Sequence, residues 1–257
     1  MTTTAFIAVR TGSSRLPAKA LMPILGKPML ERMLERVVRA SSVDEIVIAT
    51  TELAEDDRVE ALASRLGAHC FRGSVDDVLG RMAGAVEASR ADRVIELLGD
   101  NPLVHGAIID DVVAFFDAGG FDYAVDVTHE QPNAPTGAAR FPIGVRVEVY
   151  KPEVIIRCAR ETNDPRNREH STSYIGEHPE LFKLGYFEAQ GRWASLHQPD
   201  YTFAVNYRQN FDLIEQVFGD CYPQDYDFSL PAVMALLDAR PELIELMGPP
   251  KSTTVRT

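Results

Sequence analysis

The segment Arg10-Thr-Gly-Ser-Ser-Arg-Leu-Pro-Ala-Lys19 sets two arginines and a lysine around a run of small residues. Small residues let backbone N–H groups approach an anion closely, and the cations supply countercharge, so Arg10, Thr11, Gly12, Ser13, Ser14, Arg15 and Lys19 read as a phosphate-binding loop. The first thirty residues carry Arg10, Arg15, Lys19 and Lys27 with no carboxylate before Glu31, in a chain of net charge −12. Like charges gathered in this way repel unless an anion joins them; the competing reading is a solvated turn. A second feature is Leu97-Leu-Gly-Asp-Asn-Pro102, where Asp100 directly follows an apolar run. Mg²⁺ typically takes one or two carboxylates with phosphate oxygens and waters, so a single Asp beside a phosphate loop is a sensible ligand; an Asx turn or helix N-cap is the alternative. Arg72, Asp77 and Arg81, after the third strand, read as an ion cluster at a helix start. Glu169 and His170, with Arg166 and Arg168, read either as an anion-binding group or as a solvated helix face.

The elements that must position these residues follow from hydrophobic period. Ala5–Val9, Glu45–Ala49, His69–Phe71, Arg93–Leu98 and the stretch near Tyr123–Val127 read as strands. Between them lie helical patterns: Leu30, Met33, Leu34, Val37 and Val38; Val59, Leu62, Ala63 and Leu66, stopped by Gly67; Val78 to Val86; and Ile108 to Phe116, stopped by Gly119-Gly120. This alternation predicts an α/β fold, a doubly wound, mostly parallel sheet with helices on both faces, which places loops after strands along one ligand-binding edge. Pro132, Pro135, Pro142 and Gly137 predict a long loop over 128–142 near a site. Val145–Val149 alternates like a half-exposed strand. Helices are expected over Glu153–Ala159, Arg168–His178, Phe211–Phe218 and after Ser229. A single domain over 1–250 with a flexible tail over 251–257 is expected.

Composition narrows the function classes. At 257 residues, 45% hydrophobic and 25% charged, the chain can build one large core. The acidic balance, without aromatic residues interleaved with cations, argues against nucleic acid as a partner. No apolar run of about 18 residues predicts a membrane span. Cys70, Cys158 and Cys221 fit neither a disulfide framework nor a zinc site, so a cytoplasmic setting is expected. G-x-G-x-x-G is absent, Gly26-Lys27 lacks the earlier glycine of a Walker A loop, and Gly12–Leu16 does not make a nucleophile elbow. His178 and His197 are read as surface or core histidines.

The motifs together resemble a known family. The 10–19 loop, Gly26-Lys-Pro-Met-Leu30, Phe71-Arg-Gly-Ser74 with Asp76-Asp-Val-Leu79, Gly99-Asp100 with Pro102-Leu103, and Arg168-Glu-His170 with Glu177-His-Pro-Glu-Leu-Phe182 resemble the spore-coat-polysaccharide-type cytidylyltransferases, relatives of the acylneuraminate and 3-deoxy-manno-octulosonate cytidylyltransferases. The resemblance spans about residues 5 to 218. It implies a nucleotide-diphospho-sugar transferase-like fold, usually dimeric, that moves a cytidylyl group from CTP to an acidic sugar with Mg²⁺. It further implies that Arg10, Arg15 and Lys19 hold the triphosphate, that Gly73 and Ser74, with Asp77, lie near the base, and that Asp100 binds metal. Three positions depart from the family pattern. Asn206 stands where a second acidic metal ligand is usual; Arg146, in Pro142-Ile-Gly-Val-Arg-Val-Glu148, stands where a carboxylate is common; and Leu98 replaces a polar residue. Arg146, Glu148, Glu169 and His170 are the expected acceptor residues. Because a guanidinium reverses local charge, an acceptor carrying a phosphate or phosphonate is an alternative to a sugar acid, and Asn206 makes a nucleotide-binding homologue with weakened catalysis a third reading.

Overall fold

The computed structural model describes residues 1–249; the expected tail over 251–257 lies outside the described residues. The strands are β1 (Thr3–Ala8), β2 (Pro23–Ile24), β3 (Lys27–Pro28), β4 (Glu45–Thr51), β5 (His69–Gly73), β6 (Arg93–Leu98), β7 (Tyr123–Asp126), β8 (Glu148–Tyr150) and β9 (Leu184–Phe187). The α-helices are α1 (Met29–Val37), α2 (Asp57–Arg65), α3 (Val78–Ala88), α4 (Gly106–Gly119), α5 (Pro152–Glu161), α6 (Pro165–Glu169), α7 (Ser173–Glu177), α8 (Arg208–Cys221) and α9 (Leu230–Ala239). Seven strands form one sheet in the order β5-β4-β1-β6-β8-β7-β9, with β2 and β3 as a separate short hairpin. β8 runs antiparallel to both its neighbours, and the remaining pairings in the large sheet are parallel.

Alternation along β1 shows why the sheet needs two helical layers. Ala5 and Ile7 enter one core with residues of α1, α2, α4, α8 and α9. Phe6 enters a second core with residues of α3, α5 and α7. Both faces are therefore covered, as a parallel sheet requires. Gly120 (φ +57°) and Gly67 (φ +75°) lie in the left-handed region just beyond α4 and α2, as expected of helix stops.

Four features differ from the sequence expectation. Val38 does not extend the buried face of α1: it follows the helix and is 62% exposed. The half-exposed strand expected over Val145–Val149 forms only at Glu148–Tyr150 and is buried on both sides, because β8 is inserted between β6 and β7 and Glu148 is only 1% exposed. The single helix over Arg168–His178 is two short helices, α6 and α7, since Ser171 and Thr172 turn inward to donate to Glu96 and Glu148. β9 is an additional strand; its Gly185 packs where a side chain would strike Phe121 and Phe115.

Candidate active site

The crevice opens where the strand order reverses direction. The chain leaves β1 for β4 and β5 on one side and returns to β6 on the other, so the loops after β1 and β6 part at their carboxyl ends. The loop after β1 is the cationic segment, and the loop after β6 is Gly99-Asp100. Gly99 has a local reason to be glycine. Its N–H donates to Ala8 O at 2.9 Å, and a Cβ there would lie 2.6 Å from Val9 Cβ. Nothing larger fits between the two strand ends, and this close approach draws Asp100 toward the loop.

The loop is anchored by a residue that its own composition does not reveal. Asp56, fully buried ahead of α2, accepts from Thr11 N at 2.7 Å and Thr11 Oγ1 at 2.6 Å, and also from Thr51 Oγ1. Burial pushes its carboxyl upward, but the hydrogen bonds from Thr11 and Thr51 outweigh burial and hold it below the ordinary range. The loop folds back through Ser13 N and Ala18 N, both donating to Thr11 O at 2.8 Å. Ala18 takes φ +54°, a conformation that a non-glycine residue adopts at a cost, and it precedes Lys19.

Lys19 is the point of convergence. Its Nζ lies 3.0 Å from Asp100 Oδ2 and 2.5 Å from Val205 O, while Val205 N donates to Asp100 O at 2.9 Å. Residues 19, 100 and 205 thereby meet, and Asn206 stands next in the chain, partly exposed. Arg15 stacks its guanidinium 5.5 Å from the Tyr207 ring centroid, tying the loop to the same segment. Arg10 reaches the other way, donating to Val75 O at 3.1 Å, and Arg81 donates to Ser74 O at 2.7 Å. The cationic loop thus touches the segment after Ser74 through Arg10, and Asp100 and Val205 through Lys19, with Asn206 next in the chain. Asp77 is engaged within the fold itself: it caps α3 by accepting from Gly80 N at 2.7 Å and pairs with Arg168 at 3.1 Å. Arg72 pairs with Asp57 and Glu60, on the side of α2. Among the described residues no group of three or more His, Cys, Asp or Glu side chains forms a metal cage. Asp100 and Asn206 are the oxygen donors that the crevice offers beside Lys19.

A cavity of about 810 Å³ lies on the β8 side of the crevice. The antiparallel register pairs Glu96 with Glu148, the first residue of β8, and Arg146 lies two residues ahead of it. Arg146, Glu148 and His170 line the cavity with Tyr123, Arg166 and Thr172; Glu169 is exposed and is not part of the lining. Arg146 Nη2 lies 2.5 Å from Glu148 Oε1, and Tyr123 Oη and Thr172 Oγ1 also donate to that oxygen at 2.5 and 2.8 Å. Burial alone would lower the Arg146 pKa, but the charges of Glu148 and Glu130 and the hydrogen bond to Glu148 together outweigh it and raise it. The charge reversal expected of Arg146 is therefore largely cancelled by Glu148. Beneath them, burial and the charge of Glu148 push Glu96 up to about 7. The loop over 128–142 forms one wall through Glu130, Gln131, Pro132 and Asn133. Tyr123, Thr172, Glu130 and Asp56 have no local sequence signal, because each reaches the site through long-range pairing. His178 pairs with Glu180, and His197 Nδ1 accepts from Arg140 N at 3.0 Å, in keeping with their exclusion.

Comparison with known proteins agrees with this architecture. A family model described as cytidylyltransferase matches residues 4–228. The chain is 30% identical over 242 residues to the spore coat polysaccharide biosynthesis protein SpsF of Bacillus subtilis, covering 92% of this chain and 94% of that one. It shares its fold with a cytidylyltransferase from Leptospira borgpetersenii, with TM-score 0.83, 24% identity and coverage of 95% and 97% of the two chains. It also shares its fold with a CMP:2-keto-3-deoxy-manno-octonic acid synthetase complexed with CTP, with TM-score 0.63, 19% identity and coverage of 85% and 99%.

Proposed function

The chain belongs to the cytidylyltransferase family, and from that premise we propose that it transfers the CMP group of CTP to an acidic small-molecule acceptor with release of pyrophosphate. The observation that carries the reading is the meeting of Lys19, Asp100 and the Val205–Asn206 segment at the β1–β6 crevice, beside the cavity lined by Arg146 and Glu148. A hydroxyl oxygen of the acceptor bonds to the α-phosphorus of CTP, the bond from that phosphorus to the bridging oxygen of the β-phosphate breaks, pyrophosphate leaves with that oxygen, and the hydroxyl proton passes to solvent.

Negative charge grows on the phosphate oxygens during that exchange, so preorganised cations and N–H groups are the main catalytic resource. Arg10, Arg15 and Lys19, with the backbone of Thr11, Gly12, Ser13 and Ser14, hold the triphosphate. Gly73 and Ser74 face the base; Asp77, through its cap and its pair with Arg168, holds that turn in place. Asp100 and Asn206 are the residues that would hold Mg²⁺, which when bound offsets phosphate charge. With one neutral ligand, Asn206 makes the site depend more on the nucleotide for metal retention. Arg146 and His170 face the acceptor, and Glu148 orients Arg146.

A sugar acid is the acceptor class this reading favours, in line with the synthetase of the same fold, and polysaccharide biosynthesis, named for the Bacillus relative, is its setting. The three cysteines are free, which accords with the cytoplasm, and a homodimer belongs to the same reading. Among the described residues no helix is long and apolar enough to cross a membrane.

Thermal stability with CTP, UTP, ATP and GTP, with and without Mg²⁺, tests the nucleotide, and pyrophosphate release with 3-deoxy-manno-octulosonate and N-acetylneuraminate then tests the acceptor. A ligand at about 100 times its Kd stabilises by roughly 2.7 kcal/mol, so CTP should give a selective shift that Mg²⁺ strengthens. Lys19→Met and Asp100→Asn should each lower turnover at least about a hundredfold. No selectivity among the nucleotides, or near wild-type turnover in both variants, refutes the reading.

A further inference from the structure

We propose that Glu130 occupies, in the free protein, the place on Arg146 that the acceptor's carboxylate takes on binding, so that the site selects a singly charged carboxylate. The proposal rests on the acceptor reading of the Arg146 cavity given above. Its basis is the unequal engagement of the Arg146 guanidinium. One side is fixed: Nη2 lies 2.5 Å from Glu148 Oε1 and 3.0 Å from Thr172 Oγ1. The other side is loose: Nη1 is 3.4 Å from Glu130 Oε2, well beyond the 2.7–2.9 Å of a good charge-assisted hydrogen bond. Nε is buried and has no hydrogen-bond partner. A guanidinium carries five N–H donors in a fixed fork, and Nη1, whose contact to Glu130 is long, is the donor that this one can offer at the cavity it lines.

The two acidic partners of Arg146 differ in how they are held. Glu148 is 1% exposed, in the middle of the sheet, and its Oε1 accepts from three donors. Glu130 lies on the 128–142 loop, is itself exposed, and among the described residues its carboxylate is held by Arg146. The first is a fixture of the fold; the second, on a loop and at 3.4 Å from a single partner, is the one that can exchange.

Charge then chooses the ligand class. Glu148 already balances Arg146, and Glu96 lies directly across the strand pair from Glu148. Exchanging Glu130 for one incoming carboxylate leaves the local charge unchanged. A phosphate or phosphonate dianion would add a further negative charge beside two buried carboxyl groups. The size and walls of the cavity suit a sugar acid: about 810 Å³, with Tyr123, Leu184, Tyr186 and Pro132 giving apolar surface around the polar end.

The experiment measures binding of 3-deoxy-manno-octulosonate, N-acetylneuraminate and inorganic phosphate by titration calorimetry, in the presence of CTP and Ca²⁺ to limit turnover. It uses wild type, Glu130→Gln and Arg146→Lys, with CTP stabilisation recorded for each. Glu130→Gln lies on an exposed loop and should fold; it should tighten at least one sugar acid about two- to fivefold and leave CTP binding unchanged. Arg146→Lys keeps the charge but loses the fork, and should weaken the same sugar acid at least about tenfold. Phosphate should bind more weakly than the carboxylates throughout. Unchanged or weaker sugar-acid binding in Glu130→Gln, a preference for phosphate, or binding of no sugar acid to either protein overturns the proposal. If CTP still stabilises wild type selectively in that case, the nucleotide reading stands and this inference alone has failed.

Discussion

Asp126 offers a direct test of the buried electrostatics beneath the site. It closes β7 and is fully buried. Its Oδ1 accepts from Val147 N at 2.6 Å, which pins together the two ends of the cavity loop, and its Oδ2 has no partner. Burial pushes its carboxyl up to about 8, against an ordinary value near 4. Between those two pH values the native protein keeps a proton that the unfolded chain has released. Stability must therefore fall as pH rises through that window, by on the order of 1 kcal/mol per pH unit, and the loss ends above about pH 8. Glu96, raised to about 7, adds a slope of the same sign over a narrower window. The substitution Asp126→Asn keeps the shape and the Oδ1 acceptor and removes the ionisation. It adds one unpartnered N–H, costing about 1 kcal/mol at every pH, so the diagnostic is the slope of the difference rather than its value at one pH. Urea midpoints from circular dichroism at pH 4 to 9 should show the variant gaining on wild type by several kcal/mol in all as pH rises from about 4 to 8, then running parallel. Two curves that stay parallel across the whole range, or a variant that loses ground as pH rises, would refute the assignment of a buried neutral Asp126.

Gly144 and Asn206 extend the tests to backbone and metal. Gly144 holds φ +100°, and a Cβ there would lie 2.2 Å from Ala204 N, so Gly144→Ala should destabilise by about 2 kcal/mol or more in urea unfolding; wild-type stability would contradict the close approach of the two segments. Asn206→Asp restores a carboxylate next to the Lys19–Asp100 pair. It should lower the Mg²⁺ concentration for half-maximal pyrophosphate release several-fold, and an unchanged Mg²⁺ requirement would remove Asn206 from the metal site.

The sequence determined the parts of this protein that local pattern can encode. Alternating and helical hydrophobic periods locate the strands β1, β4, β5 and β6 and the helices between them, because burying an apolar face imposes its period on the chain wherever that face ends up. The cationic loop and Gly99-Asp100 are legible for a similar reason: a loop at the carboxyl end of a parallel strand reaches the ligand edge with little dependence on distant residues. Glu148 shows where that logic stops. Its alternation within Val145–Val149 reports one polar face, and only the insertion of β8 between β6 and β7 decides that this face is buried against Tyr123, Thr172 and Arg146. Ser171 and Thr172 look like the middle of a helix until their hydroxyls are drawn to Glu96 and Glu148. That Asp77 opens α3 as its cap can be read from the chain, but its pair with Arg168, 91 residues away, cannot. Asp56 and Glu130 carry no motif at all; their roles arise from partners 45 and 16 residues away in the chain. Period specifies which residues leave water, but a buried charge is defined by the partner that neutralises it, and that partner is chosen by strand order and loop closure in three dimensions.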